Sequence, residues 1–235
     1  MSNVTNLDTY RRIPTSSIID TVERALTDDL LTGVDVGTTK RVRNDGRGTK
    51  HMITWDLVDQ TAYINGDKIT PRIILYNSYE KECALTLHIG FLRWVCNNGM
   101  FTGDATYATR IIHRVGETCE DKLDELYTGV AAAIQFITSG ELVRQMNDAT
   151  SKRLSTSEMC LIAAQLGCLS KRSKLRLVEK IIRPGLRLRE EDRNNTVWTL
   201  WNMVNEEIRT SSRGGEVRLA ERNNGLLSSI SELAA

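Results

Sequence analysis

Cys96 and His113 offer a thiol and an imidazole, the nucleophile and base that a cysteine-dependent enzyme needs. That chemistry requires a thiolate with its base within hydrogen-bond reach, which a separation in sequence does not establish. The surroundings of Cys96, GFLRWVCNNGMFTGD, are generic, and a free cysteine in such a stretch is ordinarily a small buried side chain. The expectation is therefore a protein that is not an enzyme. His51, His88 and His113 are too scattered for a metal site, and no HExxH pattern or carboxylate set accompanies them. The stretch GVDVGTTKRVR has glycines, threonines and a lysine, yet it lacks the spacing that wraps backbone N–H groups around a triphosphate. No cofactor is expected.

Cations form the more informative pattern. Lys40, Arg41, Arg43, Arg47 and Lys50 flank a turn signal at residues 44–46, and the two-residue period of a strand puts Arg41 and Arg43 on one face. Arg110, His113 and Arg114 make a second group. A third is KRSKLRLVEK, with Lys171, Arg172, Lys174 and Arg176, followed by Arg183, Arg187 and Arg189. Such groups neutralise phosphates with release of counterions, which gives sequence-independent, salt-sensitive binding of nucleic acid. The competing reading is a set of solvated faces, because 30 acidic residues nearly balance 31 basic ones. Tyr76, Tyr79 and Trp94 could stack bases. Alternation along a strand sets Arg93 and Trp94 on opposite faces, which favours Arg93 for a ligand and Trp94 for the core.

The elements that position these residues follow from periodicity. A helix is expected at 16–31, with Ser16 or Ser17 as cap and Ile18, Ile19, Val22, Ala25, Leu26 and Leu30 on its apolar face. Strands are expected near 34–43, 49–58, 72–78, 83–95 and 106–114, punctuated by Asn-Asp-Gly at 44–46 and Asn-Gly-Asp at 65–67. A bend is expected near Gly90, and Asn97-Asn98-Gly99 reads as the turn that ends the long strand. Helices dominate after 117: one at 119–138 that 141–149 extends, one opened by a Ser155…Glu158 capping box, one at 171–183 stopped by Pro184-Gly185, and one opened by Asn194 or Thr196. The last has Val197, Leu200, Trp201, Val204 and Ile208 in one stripe.

The fold class is therefore α+β, an antiparallel β meander with flanking helices and a helical C-terminal half. Its expected divisions are a β-meander core at 1–150, a helical region at 151–210 and a flexible tail at 211–235. With 40% hydrophobic and 26% charged residues the chain has an ordinary globular composition. Its first residues lack the apolar core of a signal peptide and no run is long enough to span a bilayer, so a cytoplasmic location is expected. The five cysteines are odd in number and lack close pairing, and reduced, mostly buried thiols are expected.

Three stretches, LYNSYEKECALTLHIGFLRWVCNNGMFTG, RIIHRVG and NNTVWTLWNMVNEEI, resemble a phage and plasmid protein family known as domain of unknown function number nine hundred and thirty-two. Asn77-Ser78, Arg93, Val95-Cys96, Asn98-Gly99, His113 and 196–202 stand at the places of its signature. The resemblance covers roughly residues 15 to 210 and implies a phage, prophage or plasmid origin. Some phage members look like single-strand annealing proteins of the Red beta, RecT and Rad-type superfamily, and that likeness is one of fold. It implies an oligomeric ring or filament that holds single-stranded DNA in a basic groove and anneals it without ATP. An exonuclease or single-strand binding protein of the phage would cooperate with it, and no membrane would be involved. The alternative is a phage accessory protein that binds a host or phage protein, as a host-defence antagonist or replication regulator, without touching nucleic acid.

Overall fold

The computed structural model describes residues 13–28, 38–44, 50–79, 85–93, 98–100, 109–111, 118–187, 193–211 and 226–234. Helix α1 spans Thr15–Thr27 and buries Ile18, Val22, Ala25 and Leu26, four of the positions its periodicity selects. Its cap is not the expected serine. Pro14 occupies that position, with no side-chain cap bond, and Ser16 and Ser17 lie inside the first turn. A proline before the first helical residue sets the backbone direction without needing an N–H partner.

Seven strands are described: β1 Thr38–Asn44, β2 Lys50–Leu57, β3 Ala62–Ile64, β4 Asp67–Ser78, β5 Leu85–Arg93, β6 Asn98–Met100 and β7 Thr109–Ile111. Their order is β1-β2-β4-β5-β6, with β3 beside β4 and β7 beside β5, and β1–β2, β2–β4, β3–β4, β5–β6 and β5–β7 pair antiparallel. This is the expected meander with a small added hairpin. Asn65 at φ 51° and Gly66 at φ 83° close that hairpin, the left-handed pair that a two-residue turn between right-twisted strands requires. Pro71 falls where β4 changes partner: residues 67–69 pair with β3 and 72–78 with β2. A residue without an N–H is tolerated at such a break in the ladder.

Asn97-Asn98-Gly99 is not the turn the sequence suggested. Arg93 pairs with Asn98, so Asn98-Gly99 belongs to the returning strand β6, and Asn97 lies outside the described residues. Trp94, Cys96, His113, Arg114 and most of the Asn-Asp-Gly signal lie outside the described residues. Gly90 lies within β5.

The helices are α2 Cys119–Thr138, α3 Glu141–Ser151, α4 Thr156–Gln165, α5 Lys171–Ile182, α6 Val197–Ser211 and α7 Leu226–Leu233. Both capping boxes close reciprocally, Thr118 with Asp121 and Ser155 with Glu158, and they hold those two carboxyls below the usual carboxylate range. Gly140, at φ 74°, separates α2 from α3 where the sequence suggested an extension. A left-handed residue cannot continue a right-handed helix. Thr196 opens α6 by accepting from the Thr199 N–H at 3.1 Å. No single helix among the described residues is long and apolar enough to cross a membrane.

Two compact units result. One gathers α1, β1, β2, β4 from Pro71, β5 as far as Ile89, β7 and α2; the other gathers β3, β4 through Thr70, β5 from Gly90, β6 and the helices from α3 on. In the first, α1 packs on α2, and the core includes Ile18, Trp55, Ile73, Leu87 and Ile134. In the second, α6 packs on α3, α5 and α7. Its burial exceeds the expected stripe, because Trp198, Thr199, Asn202, Met203 and Asn205 are buried as well. A helix contacted on several sides has little solvated face. Residues 211–235, expected as a flexible tail, contain α7, whose Leu226, Leu227 and Ile230 are buried on the helical period. Cys119, Cys160 and Cys168 are in no disulfide and are half-buried rather than buried as expected, while Cys83 and Cys96 lie outside the described residues.

Arg187 ties this helical unit together. It is buried, and its guanidinium donates to the carbonyls of Lys180, Ile181, Arg193 and Asn194 and to Asn195 Oδ1, at 2.8–3.3 Å. Lys180 and Ile181 end α5, where unpaired carbonyls and the negative end of the helix dipole favour a cation. Arg187→Ala should lower unfolding free energy by about 2–4 kcal/mol, because several buried acceptors lose their donors together. Urea unfolding followed by circular dichroism measures it, and a loss below about 0.5 kcal/mol, the range of an ordinary surface substitution, would contradict this role.

Candidate nucleic-acid interface

The register sorts the sheet residues of the first unit into two unlike faces. Ile53, Trp55, Ile73 and Leu75 share one, and they are completely buried. At the end of that face Asn77 Nδ2 reaches Thr15 Oγ1 at 3.5 Å, and Thr15 N–H donates to the Tyr79 hydroxyl at 2.9 Å, which fixes the start of α1. Thr54, Asp56, Arg72, Tyr76 and Ser78 share the other face. The rings of Tyr76 and His88 meet edge to face at 5.9 Å, so His88 of β5 lies on this polar face, as does Thr86 two residues before it.

Several of the sequence-predicted cations fall on the polar face by register. Arg41 pairs with Thr54 and Arg43 with Met52 on β1, Lys50 of β2 pairs with Ser78, and Arg110 of β7 pairs with Thr86. Lys40 pairs with Trp55 and takes the apolar side. Arg93 belongs to the second unit, opposite Asn98 of β6. His113 and Arg114 lie outside the described residues.

The centre of the polar face is closed to solvent: Thr54, Asp56, Ile74, Tyr76, Ser78 and His88 are all buried. Asp56 takes a two-pronged contact from Arg72, with Nη2 on Oδ2 at 3.1 Å, so each of these buried charges has its counter-ion. This pair was not singled out in the sequence, because Asp56 and Arg72 are 16 residues apart and only the β2–β4 register makes them neighbours. Tyr76 and Tyr79, expected as stacking candidates, are engaged otherwise. Tyr76 is buried against His88, and Tyr79 sets its ring on His51 at 4.9 Å with its hydroxyl at Thr15. The cations that register sets on this face are thus at its margins, on β1, the first residue of β2, and β7.

The third cationic group divides within itself. Arg176 pairs with the buried Glu207 at 2.8 Å, and Lys174 Nζ donates to the Ala164 carbonyl at 2.5 Å. Both side chains are committed to packing α5 on its neighbours. Lys171 and Arg172 are exposed in the first turn of the same helix.

An antiparallel sheet with helices before and after it, one face of the sheet carrying cations at its margin, defines an α+β protein. The chain belongs to the family DUF932, Domain of unknown function, whose model matches residues 5–230. It is 26% identical over 204 residues to the UPF0380 protein YafZ of Escherichia coli (strain K12), a match that spans 85% of this chain and 67% of the relative. The UPF0380 protein YfjQ of the same strain matches to the same extent. No solved structure matches the chain.

Burial of His88 lowers its pKa from 6.5 to about 4. The folded state therefore refuses a proton that the unfolded chain accepts. Its contribution to stability is complete above pH 6.5 and is lost as pH falls from there towards 4. Between pH 7 and pH 5 this group should cost about 2 kcal/mol of stability. Urea midpoints at the two pH values, compared with those of His88→Gln, isolate the effect, and an equal pH dependence in the variant would refute it.

Proposed function

We propose that this protein binds single-stranded DNA and anneals complementary strands without ATP, as an oligomer serving phage or plasmid recombination in the cytoplasm of the host cell. The observation that carries the reading is the register placing Arg41, Arg43, Lys50 and Arg110 on one polar face of a sheet whose other face is apolar core. Period-two alternation keeps such cations on one side, and a row of them at the rise of a strand suits a phosphate backbone. Because the centre of the face is buried, the strand runs along its margin at β1 rather than across its middle.

On this reading no residue performs covalent chemistry. Cations hold the sugar-phosphate chain while base edges stay available, and Watson–Crick pairing with a second strand supplies the driving force. An exonuclease would produce the single strands, and a single-strand binding protein would keep them open.

Replacing Arg41 and Arg43 together by Ala should reduce the slope of log K against log salt by about 1.4 for a labelled oligonucleotide, since a single strand releases about 0.7 counterion per phosphate contact. Fluorescence anisotropy of single-stranded and duplex probes at two salt concentrations reads this directly. Unchanged affinity and slope remove β1 from the interface. No binding of either probe at low salt ends the nucleic-acid reading and favours the protein-binding alternative.

A further inference from the structure

We propose that the outer face of α5 is where a second copy of this chain docks, through the acidic outer face of its α2. The inference rests on the reading of the protein as an oligomer and does not depend on DNA. Helix α5 buries Ser173, Leu177 and Ile181, and it turns Leu175 and Ile182 outward at 72% and 59% exposure. Leu186, in the turn that follows, continues the line at 48%. The spacing of seven sets Leu175 and Ile182 on one line along α5, and Leu186 beyond its end and Leu161 of α4 are exposed as well. A run of large exposed apolar side chains on one element, rimmed by charge, marks an interaction surface.

The charges beside the stripe identify the partner. Lys171 and Arg172 are exposed and have no ion-pair partner among the described residues. They occupy the first turn, where the positive end of the helix dipole disfavours cations and no acidic residue offsets them. Helix stability does not explain them; an acidic counterpart does. The opposite pattern stands on α2, where Glu120, Asp121, Asp124 and Glu125 are all exposed. Asp121 closes the capping box and Glu125 reaches Lys122 at 3.9 Å, while Glu120 and Asp124, four residues apart and exposed, have no ion pair among the described residues.

Self-pairing of α5 about a two-fold axis would offer Lys171 and Arg172 only Glu179, which Arg183 already engages, whereas α2 offers Glu120 and Asp124 together. An α5-to-α2 contact joins unlike patches, and a head-to-tail contact of that kind repeats into a ring or a filament.

The test uses two charge-reversed full-length variants, one carrying K171E and R172E and the other E120K and D124K, with thermal unfolding to confirm that both fold. Sedimentation velocity without DNA should show the wild type assembled. Each variant alone should associate about 10- to 100-fold more weakly, because like charges now meet. An equimolar mixture should regain assembly, since every contact is again of opposite sign. Leu175→Asp should also weaken assembly, and neither charged partner should rescue it. A monomeric wild type, variants that assemble normally, or a mixture that fails to reassemble would each overturn the proposal. Anisotropy with single-stranded DNA keeps the two readings apart: lost DNA binding with intact assembly in K171E/R172E would assign α5 to nucleic acid and overturn this proposal, whereas intact DNA binding with lost assembly supports it.

Discussion

The antiparallel register of β1, β2 and β4 is the constraint on which the first unit depends. A slip of one residue would move Ile53, Trp55, Ile73 and Leu75 out of the core and drive Asp56 and Arg72 into it. Burying several large apolar side chains fully stabilises each by about 1.5–3 kcal/mol, so the correct register is strongly favoured over its neighbours. The same choice settles where the charges go. Arg41 and Arg43 share a face with Thr54, and Lys40 does not, because Trp55 must be inside.

Polar groups on the buried part of that face are matched to one another. Asp56 with Arg72 satisfies two charges that would each cost several kcal/mol if left alone in a dry interior. His88 is kept neutral by the same dryness. That part of the face is therefore a fixed polar support, with cations at its margin.

In the helical unit the comparable constraint is the burial of α6. Glu207, almost wholly buried, holds Arg176 and Lys180 of α5 at 2.8 and 3.0 Å, and Arg187 gathers the carbonyls at the end of α5 and before α6. These contacts engage three basic residues of the 171–189 stretch, Arg176, Lys180 and Arg187, with partners inside the unit. The exposed residues of α5 are Leu175 and Ile182, with Lys171 and Arg172 at its head and Glu179 near its end.

By itself the sequence determined the local structure: the bounds of α2, the Ser155…Glu158 capping box, the Asn65-Gly66 hairpin turn and the meander of strands. Each of these is written in residues within a few positions of one another, where side-chain period, cap bonds and positive φ act directly. Membership of its family was legible too, in the stretch around Arg93 and the run from 194 to 208. Only the tertiary structure decided which cations are spoken for and which are open. Arg176 and Lys171 look alike in a basic run, and they part company because Glu207, 31 residues beyond Arg176, is brought beside one and not the other. The same holds for Tyr76, whose ring reads as a stacking surface until β5 sets His88 against it. Partners distant in sequence are selected by packing, and a periodicity of two or of 3.6 carries no record of them.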